Sequence, residues 1–210
     1  MAHVGAPPMP PTNLPVPAVQ PTAPVIAATL AAAGAAYQSL FRNPLVSPDI
    51  RVLVLGSFPG VRSLQSQQYY AHPQNHFWRI MQALWPDAPW PTDRDYAARC
   101  AALLRCGVGV WDVYAACERE GSLDSAIRAA ELNDFPALLV QCPQLSGIAH
   151  NGGESFRHAK ALDKALAQAG LQGRVQLHRL PSTSPANASW TFEHKLSAWQ
   201  AVMQQHGLLA

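Results

Sequence analysis

Beyond Pro44 the apolar residues fall into two alternating patterns. Arg51-Val-Leu-Val-Leu55, Gly107-Val-Gly-Val-Trp111, Ser146-Gly-Ile-Ala-His150 and Arg174-Val-Gln-Leu-His-Arg-Leu180 are short runs that end at or near glycine, proline or asparagine. Runs of that length and make-up predict strands, the first of them fully buried. Between the runs, longer segments predict helices over Gln74–Trp85, Asp93–Arg105, Leu123–Ala130, Asp134–Gln141, Glu154–Ala169 and Ser189–His206. Thr92 and Ser189 are the expected N-caps of the second and last helices, with Gly170 and Gly207 as C-terminal stops. Strands that alternate with helices imply crossover connections and a parallel sheet covered on both faces. In such sheets ligands sit beyond the carboxyl ends of the strands. Three loops leave those ends with unusual residues: Gly56–Gln74, His150–Glu154 and Pro181–Ser189.

The N-terminal part follows neither pattern. Eight prolines lie between Pro7 and Pro24, and Met1–Phe41 contains no Asp, Glu, Lys or Arg. A proline-rich segment without charge forms neither a helix nor a sheet core, so residues 1–28 read as a disordered or polyproline-like tail. The folded domain is expected over 29–210. Ala28–Phe41 reads as a helix docked on it through Leu30, Tyr37, Leu40 and Phe41.

The chain of 210 residues has room for one domain plus this tail, and 13% of its residues are charged against roughly 25% in an average globular protein. No apolar run approaches the roughly 20 residues of a membrane span, and prolines stand where a secretory leader would carry basic residues. A soluble, cytoplasmic protein is the expectation, with monomer as the default. Cys100, Cys106, Cys117 and Cys142 are spaced 6, 11 and 25 apart, without a C-x-x-C pair or a histidine at finger spacing. They read as reduced, mostly buried thiols.

The net charge of +2 conceals an uneven distribution. Residues 50–86 carry three arginines and no acid, residues 155–210 six basic residues and two acids, and residues 87–154 five basic and ten acidic. The two segments that hold the unusual loops are therefore basic, which suits phosphate contacts. Ordinary solvated helix faces would give the same count.

The richest segment runs Gly56-Ser-Phe-Pro-Gly-Val-Arg-Ser-Leu64 and then Gln68-Tyr-Tyr-Ala-His-Pro-Gln-Asn-His-Phe-Trp78. Glycines beside a proline after a strand allow a sharp turn and close approach to a ligand. The spacing and lysine of a phosphate-binding P-loop are missing, and no G-x-S-x-G nucleophile elbow occurs. With no Asp or Glu in this segment, its polar groups are amides, hydroxyls and imidazoles: Gln65, Gln67, Gln68, Tyr69, Tyr70, His72, Gln74, Asn75 and His76. Such a set positions water and hydrogen-bonds a neutral heterocycle, but supplies no carboxylate base. Leu180-Pro-Ser-Thr-Ser-Pro-Ala-Asn-Ala188 forms a rigid loop of small, hydroxylated residues able to approach a sugar–phosphate backbone.

Gly56-Ser-Phe-Pro-Gly60, Tyr69-Tyr-Ala-His-Pro-Gln-Asn-His-Phe-Trp78 and Leu180-Pro-Ser-Thr-Ser-Pro-Ala-Asn187, in this order, resemble the hypoxanthine-DNA glycosylases of the uracil-DNA glycosylase superfamily. The resemblance spans about residue 43 to the end. It implies a three-layer α/β/α sandwich around a central, mainly parallel sheet of four to five strands. It also implies metal-free, cofactor-free hydrolysis of the N-glycosidic bond of a flipped-out deaminated base in double-stranded DNA, with hypoxanthine first and uracil second. Phe58 stands where the superfamily generally has the Asn or Asp that activates water, and the resemblance moves that role to Asn75. It assigns Ser182, Thr183, Ser184, Pro185 and Asn187 to the DNA backbone and minor groove. Asn151 becomes a base reader, although His150 and Gly153 depart from the superfamily's aromatic and lysine. On this reading Gly56, Ser57, Phe58 and Pro59 hold the base, with Phe58 and Tyr70 stacking on it and His72 as a further donor. Simpler roles stand beside these: Asn75 as a helix cap, Phe58 and Tyr70 as core aromatics, His72 as a turn residue, His150 and His178 as satisfied strand-end histidines, and Asp112 as a structural carboxylate. Loss of chemistry would leave a nucleic-acid-binding module of the same fold, and a hydrolase of free nucleotides is a further alternative.

Overall fold

The computed structural model describes residues 36–38, 43–91 and 95–210. The tail over 1–28 and the Thr92 cap lie outside these residues. The elements, in chain order, begin with strands β1 (Ala36–Gln38) and β2 (Val52–Gly56). Helices α1 (Val61–Ser66), α2 (Phe77–Leu84) and α3 (Tyr96–Arg105) come next. Strands β3 (Val108–Asp112), β4 (Tyr114–Glu118) and β5 (Arg128–Leu132) then precede helix α4 (Phe135–Gln141). Strand β6 (Gly147–Asn151), helices α5 (Gly153–Phe156) and α6 (Ala159–Gln168), strand β7 (Gln176–Leu180) and helix α7 (Phe192–Gln205) complete the order.

The four strands expected from the apolar runs all form, and they make one parallel sheet in the order β3-β2-β6-β7. β2, β3 and β6 are buried along their whole length. Side chains alternate between the two faces of the sheet, so one strand feeds two cores. Leu53 and Leu55 of β2 pack with Leu138 and Leu139 of α4 and Leu162 and Leu166 of α6. Val52 and Val54 pack with Ile80 and Met81 of α2, Leu103 of α3 and Trp199 and Met203 of α7. Helices therefore cover both faces, giving the expected α/β architecture. Among the described residues no helix is long and apolar enough to cross a membrane.

Several local expectations give way to tertiary contacts. Three residues of the helix expected over Ala28–Phe41 are described, and they form β1, paired antiparallel with β4. The helix expected over Leu123–Ala130 is replaced by a 3-10 turn at Asp124–Ala126 and by β5, which pairs antiparallel with β4. The Ala, Glu and Leu of β5 favour a helix, but pairing with β4 outweighs that weak propensity. The result is a second, three-stranded sheet, β1-β4-β5, that no apolar run announced. The long helix expected over Glu154–Ala169 divides into α5 and α6. The side chains on either side of the break, Glu154 and His158, both reach the Tyr114 hydroxyl at 2.7 Å. The last helix starts three residues later than expected: Thr191 caps it by accepting the His194 N–H, while Ser189 donates instead to Asn187 Oδ1. Asp95 caps α3 through the Ala98 N–H.

Candidate active site

The carboxyl ends of β2, β3 and β6 and the loop after β7 enclose a cavity of about 650 Å³, a volume usual for small-ligand sites. Every residue to which the resemblance gives a role lines it: Gly56, Ser57, Phe58, Pro59, Tyr70, His72, Asn75, Asn151, Ser182, Thr183, Ser184, Pro185 and Asn187; Gln65, Gln67, Gln68, Gln74 and His76 do not. Segments separated by more than a hundred positions in the chain thus meet at one end of one sheet.

Asn75 stands just before α2. It precedes the N-cap, His76, and its Oδ1 accepts the N–H of Phe77, the first helical residue, at 3.0 Å, so it closes the helix start from one position outside the cap while lining the cavity. That bond fixes the amide plane and leaves Oδ1 a second lone pair and both Nδ2 hydrogens available. The neighbouring His76 N–H donates to the Thr183 carbonyl at 3.0 Å, tying this turn to the loop after β7. His72 is exposed, and its Nδ1 accepts the Gln74 N–H.

Asn151 and Thr183 form a two-way clamp. Asn151 Nδ2 donates to Thr183 Oγ1 at 2.9 Å, and the Thr183 N–H donates to Asn151 Oδ1 at 2.8 Å. Thr183 is completely buried, so its hydroxyl faces Asn151 and not solvent; Ser182, Ser184 and Asn187 remain at the cavity surface. Gly152 makes this approach possible. It has φ +113° and ψ 174°, a region essentially restricted to glycine, and an added Cβ would lie 3.0 Å from Ser182 Cβ. Behind the loop, the buried ammonium of Lys195 donates to the Ser184 carbonyl, and desolvation lowers its pKa.

Phe58 is a core aromatic that also faces the cavity, and Arg119 lies over its ring at 5.2 Å. The same guanidinium donates to the carbonyls of Phe58 and Pro59. Tyr70, held at φ +55°, stacks on Phe77 at 4.1 Å. His150 is fully buried. The Ser155 hydroxyl donates to the Leu55 carbonyl and so accepts from His150 Nδ1–H at 2.8 Å. Burial pushes the His150 pKa down to about 4, leaving a neutral imidazole.

The carboxylates missing from the Gly56–Trp78 segment arrive from the acidic middle of the chain. Asp112 and Asp124 both line the cavity. Asp124 Oδ1 accepts the Ser57 hydroxyl at 2.7 Å. The Asp124 pKa is raised, by burial first, with Ser57 and Arg119 opposing the shift. Asp112 is 4% exposed, and burial pushes its pKa up to about 7, opposed by the Tyr69 hydroxyl and Arg119. The loop itself supplies no carboxylate, as expected, and Asp112, read from the sequence as a structural carboxylate, stands at the cavity wall. The sequence signal was its place as the last residue of a buried strand. Ser122 and Leu123 also join the rim, where Leu123 is 58% exposed. The Ser122 hydroxyl accepts the Val61 N–H. Among the described residues no group of three or more His, Cys, Asp or Glu is placed to hold a metal ion.

The fold and sequence have counterparts among known proteins. Residues 44–203 match the model of the uracil DNA glycosylase superfamily. A hypoxanthine DNA glycosylase of Methanosarcina acetivorans is 35% identical over 161 residues, covering 76% of this chain and 94% of that protein. The protein of the same name from Methanosarcina barkeri is 32% identical over 156 residues, 74% of this chain and 92% of its own length. A solution NMR structure from M. acetivorans, described as a candidate uracil DNA glycosylase, superimposes with a TM-score of 0.65 at 32% identity, covering 79% of this chain and 96% of that one.

Proposed function

The chain belongs to the uracil DNA glycosylase superfamily, and from that premise we propose that it is a DNA repair glycosylase that hydrolyses the N-glycosidic bond of hypoxanthine in DNA, leaving an abasic site. The observation that carries the reading is the meeting of Asn75, Phe58 and the Pro181–Ser189 loop around one cavity large enough for a purine nucleoside. The target base is flipped out of the stack, at a cost of a few kcal/mol that is lowest at a mismatched or damaged pair. Phe58 supplies an apolar wall for it, and Tyr70 borders the same space.

Asn75 positions the attacking water. Its capping bond already fixes the amide, so orienting the water needs no further ordering of the side chain. As the C1′–N9 bond breaks, the sugar becomes oxocarbenium-like and the base carries negative charge; donors aimed at the base lower the barrier. Backbone N–H groups near Ser57 and the Asn151 amide hydrogen beside the Tyr70 hydroxyl serve that purpose. Ser182, Ser184, Pro185 and Asn187 meet the sugar–phosphate backbone, while Thr183 holds their loop against β6. Arg62 at the cavity edge adds a positive charge. The enzyme acts as a monomer on duplex DNA in the cytoplasm, with uracil as the second substrate to examine.

Duplexes with one deoxyinosine or one deoxyuridine, analysed by alkaline cleavage and mass spectrometry, test this. The native protein is expected to release hypoxanthine, and Asn75→Ala to do so at least about 100-fold more slowly with DNA binding retained. Full activity in the variant would remove Asn75 from the reaction. Binding without release by the native protein would leave a nucleic-acid-binding module. Release suppressed by free nucleotides but not by duplex DNA would favour a nucleotide hydrolase.

A further inference from the structure

The glycosylase reading uses amides, hydroxyls and an aromatic wall, and it leaves Asp112 without a part; the inference here rests on that reading. Asp112 ends β3 directly beside Gly56 of β2. Its carboxyl group lies against the bare face of that glycine: a Cβ at position 56 would come within 2.7 Å of Asp112 Oδ1 and 3.5 Å of the Tyr70 hydroxyl. The Asp112 backbone is held from both sides. Asn133 Nδ2 donates to its carbonyl at 2.9 Å, and the next residue, Val113, donates its N–H to the Gly56 carbonyl at 2.9 Å. The side chain lines the cavity, yet Oδ2 is buried and has no hydrogen-bond partner.

A buried polar atom without a partner is uncommon, and one on a residue that lines a ligand cavity marks a place for the ligand to complete. The groups that face this carboxyl are the Tyr69 and Tyr70 hydroxyls from the connection between α1 and α2, Arg119 beyond β4 and Asp124 from the 3-10 turn. Desolvation outweighs the favourable contacts, so near neutral pH the group spends much of its time as a carboxylic acid, a donor. A departing purine needs such a donor, because its ring nitrogens gain electron density as the glycosidic bond breaks.

We propose that Asp112 is the general acid of the reaction, delivering its carboxyl proton to N7 of the departing hypoxanthine. The C1′–N9 bond breaks and its electron pair enters the purine ring. The proton from Asp112 adds at N7, so the base leaves as neutral hypoxanthine. The oxygen of the water held by Asn75 bonds to C1′ and releases its proton to solvent. The Asp112 carboxylate then regains a proton from solvent before the next turnover. Gly56 belongs to this arrangement because any side chain there would push the acid away from the base.

The test is single-turnover base release from a deoxyinosine duplex, followed against pH for the native protein and Asp112→Asn. The native rate is expected to fall above about pH 7 as the acid loses its proton. Asp112→Asn is expected to be about 100-fold slower at pH 6 and to lose that decline, with duplex binding at pH 6 preserved and a urea midpoint no lower than that of the native protein. Gly56→Ala keeps the acid but displaces it, so release slows while the alkaline decline persists. With 7-deazahypoxanthine, which has no N7 acceptor, native protein and Asp112→Asn should react at the same slow rate. An Asp112→Asn variant that keeps the native rate and its alkaline decline overturns the assignment. An unequal pair of rates on the 7-deaza substrate overturns N7 as the acceptor. A native protein that releases no base from any duplex overturns the glycosylase reading itself, and this proposal with it.

Discussion

The two sides of the cavity spend their polar groups in opposite ways. On the side built by β6 and the loop after β7, Asn151 and Thr183 satisfy each other twice, Ser184 N–H reaches Ser182 Oγ, and Asn187 Nδ2 reaches the Ser182 carbonyl. On the side built by β2 and β3, Asp112 Oδ2 is buried without a hydrogen-bond partner, and the buried Tyr70 hydroxyl has only the Asn151 amide beside it. The first arrangement makes a rigid scaffold, because each satisfied bond removes an alternative conformation. The second keeps polar atoms in reserve, at a cost in stability, for whatever enters. A site that must both grip a backbone and react with a base needs one wall of each kind.

Substitutions on the two walls therefore act on stability with opposite signs. The largest effect is expected at Asp112. Its pKa in the folded protein, about 7, exceeds the usual aspartate value of about 4, so the folded state binds more protons than the unfolded state between these values. Stability is therefore lost as pH rises from about 4 to about 7, by an amount on the order of 3–4 kcal/mol. Asp112→Asn removes this loss. Urea unfolding should show the variant more stable than the native protein at pH 8, with the gap closing toward pH 4. A native protein that is the more stable of the two at pH 8 would break the comparison.

Asn151→Ala acts in the other direction. It leaves the Thr183 N–H and hydroxyl buried without partners, and about 3 kcal/mol of destabilisation is expected in the same urea experiment, independent of pH between 5 and 8. Gly152→Ala sharpens the point about backbone geometry. An alanine must leave φ +113° or press on Ser182, so a loss of about 2 kcal/mol is expected together with weaker duplex binding in a fluorescence-anisotropy titration. The smallest effect belongs to a position away from both walls: Thr191→Ala removes the α7 cap at a cost of about 1 kcal/mol and leaves base release unchanged.

Legibility in the sequence followed locality. The strand Val52–Gly56 was visible because five consecutive buried positions leave an apolar run bounded by glycine, and the same holds for Val108–Asp112 and Gly147–Asn151. Asn75 could be read as both cap and site residue because a cap is an arrangement between near neighbours. β4 and β5 escaped because their residues carry no strand pattern of their own; the pairing that makes Arg128–Leu132 a strand comes from another segment. The break between α5 and α6 escaped for a related reason, since Tyr114 lies forty positions before Glu154.

The parallel sheet, its helical cover and the loops at its carboxyl end were therefore legible from the order of the residues. These depend on apolar periodicity, capping and chain breaks, all of which act over a few residues. Which groups share the cavity depends on contacts between distant segments. Asp112 and Asp124 belong to the acidic middle of the chain, and nothing local distinguishes them from solvated carboxylates. They become site residues because β3 pairs in parallel with β2, bringing Asp112 level with Gly56, and because the turn after β4 folds back to Ser57. Burial, which sets the charge of Asp112, is a property of that assembled neighbourhood and has no counterpart in the order of the residues.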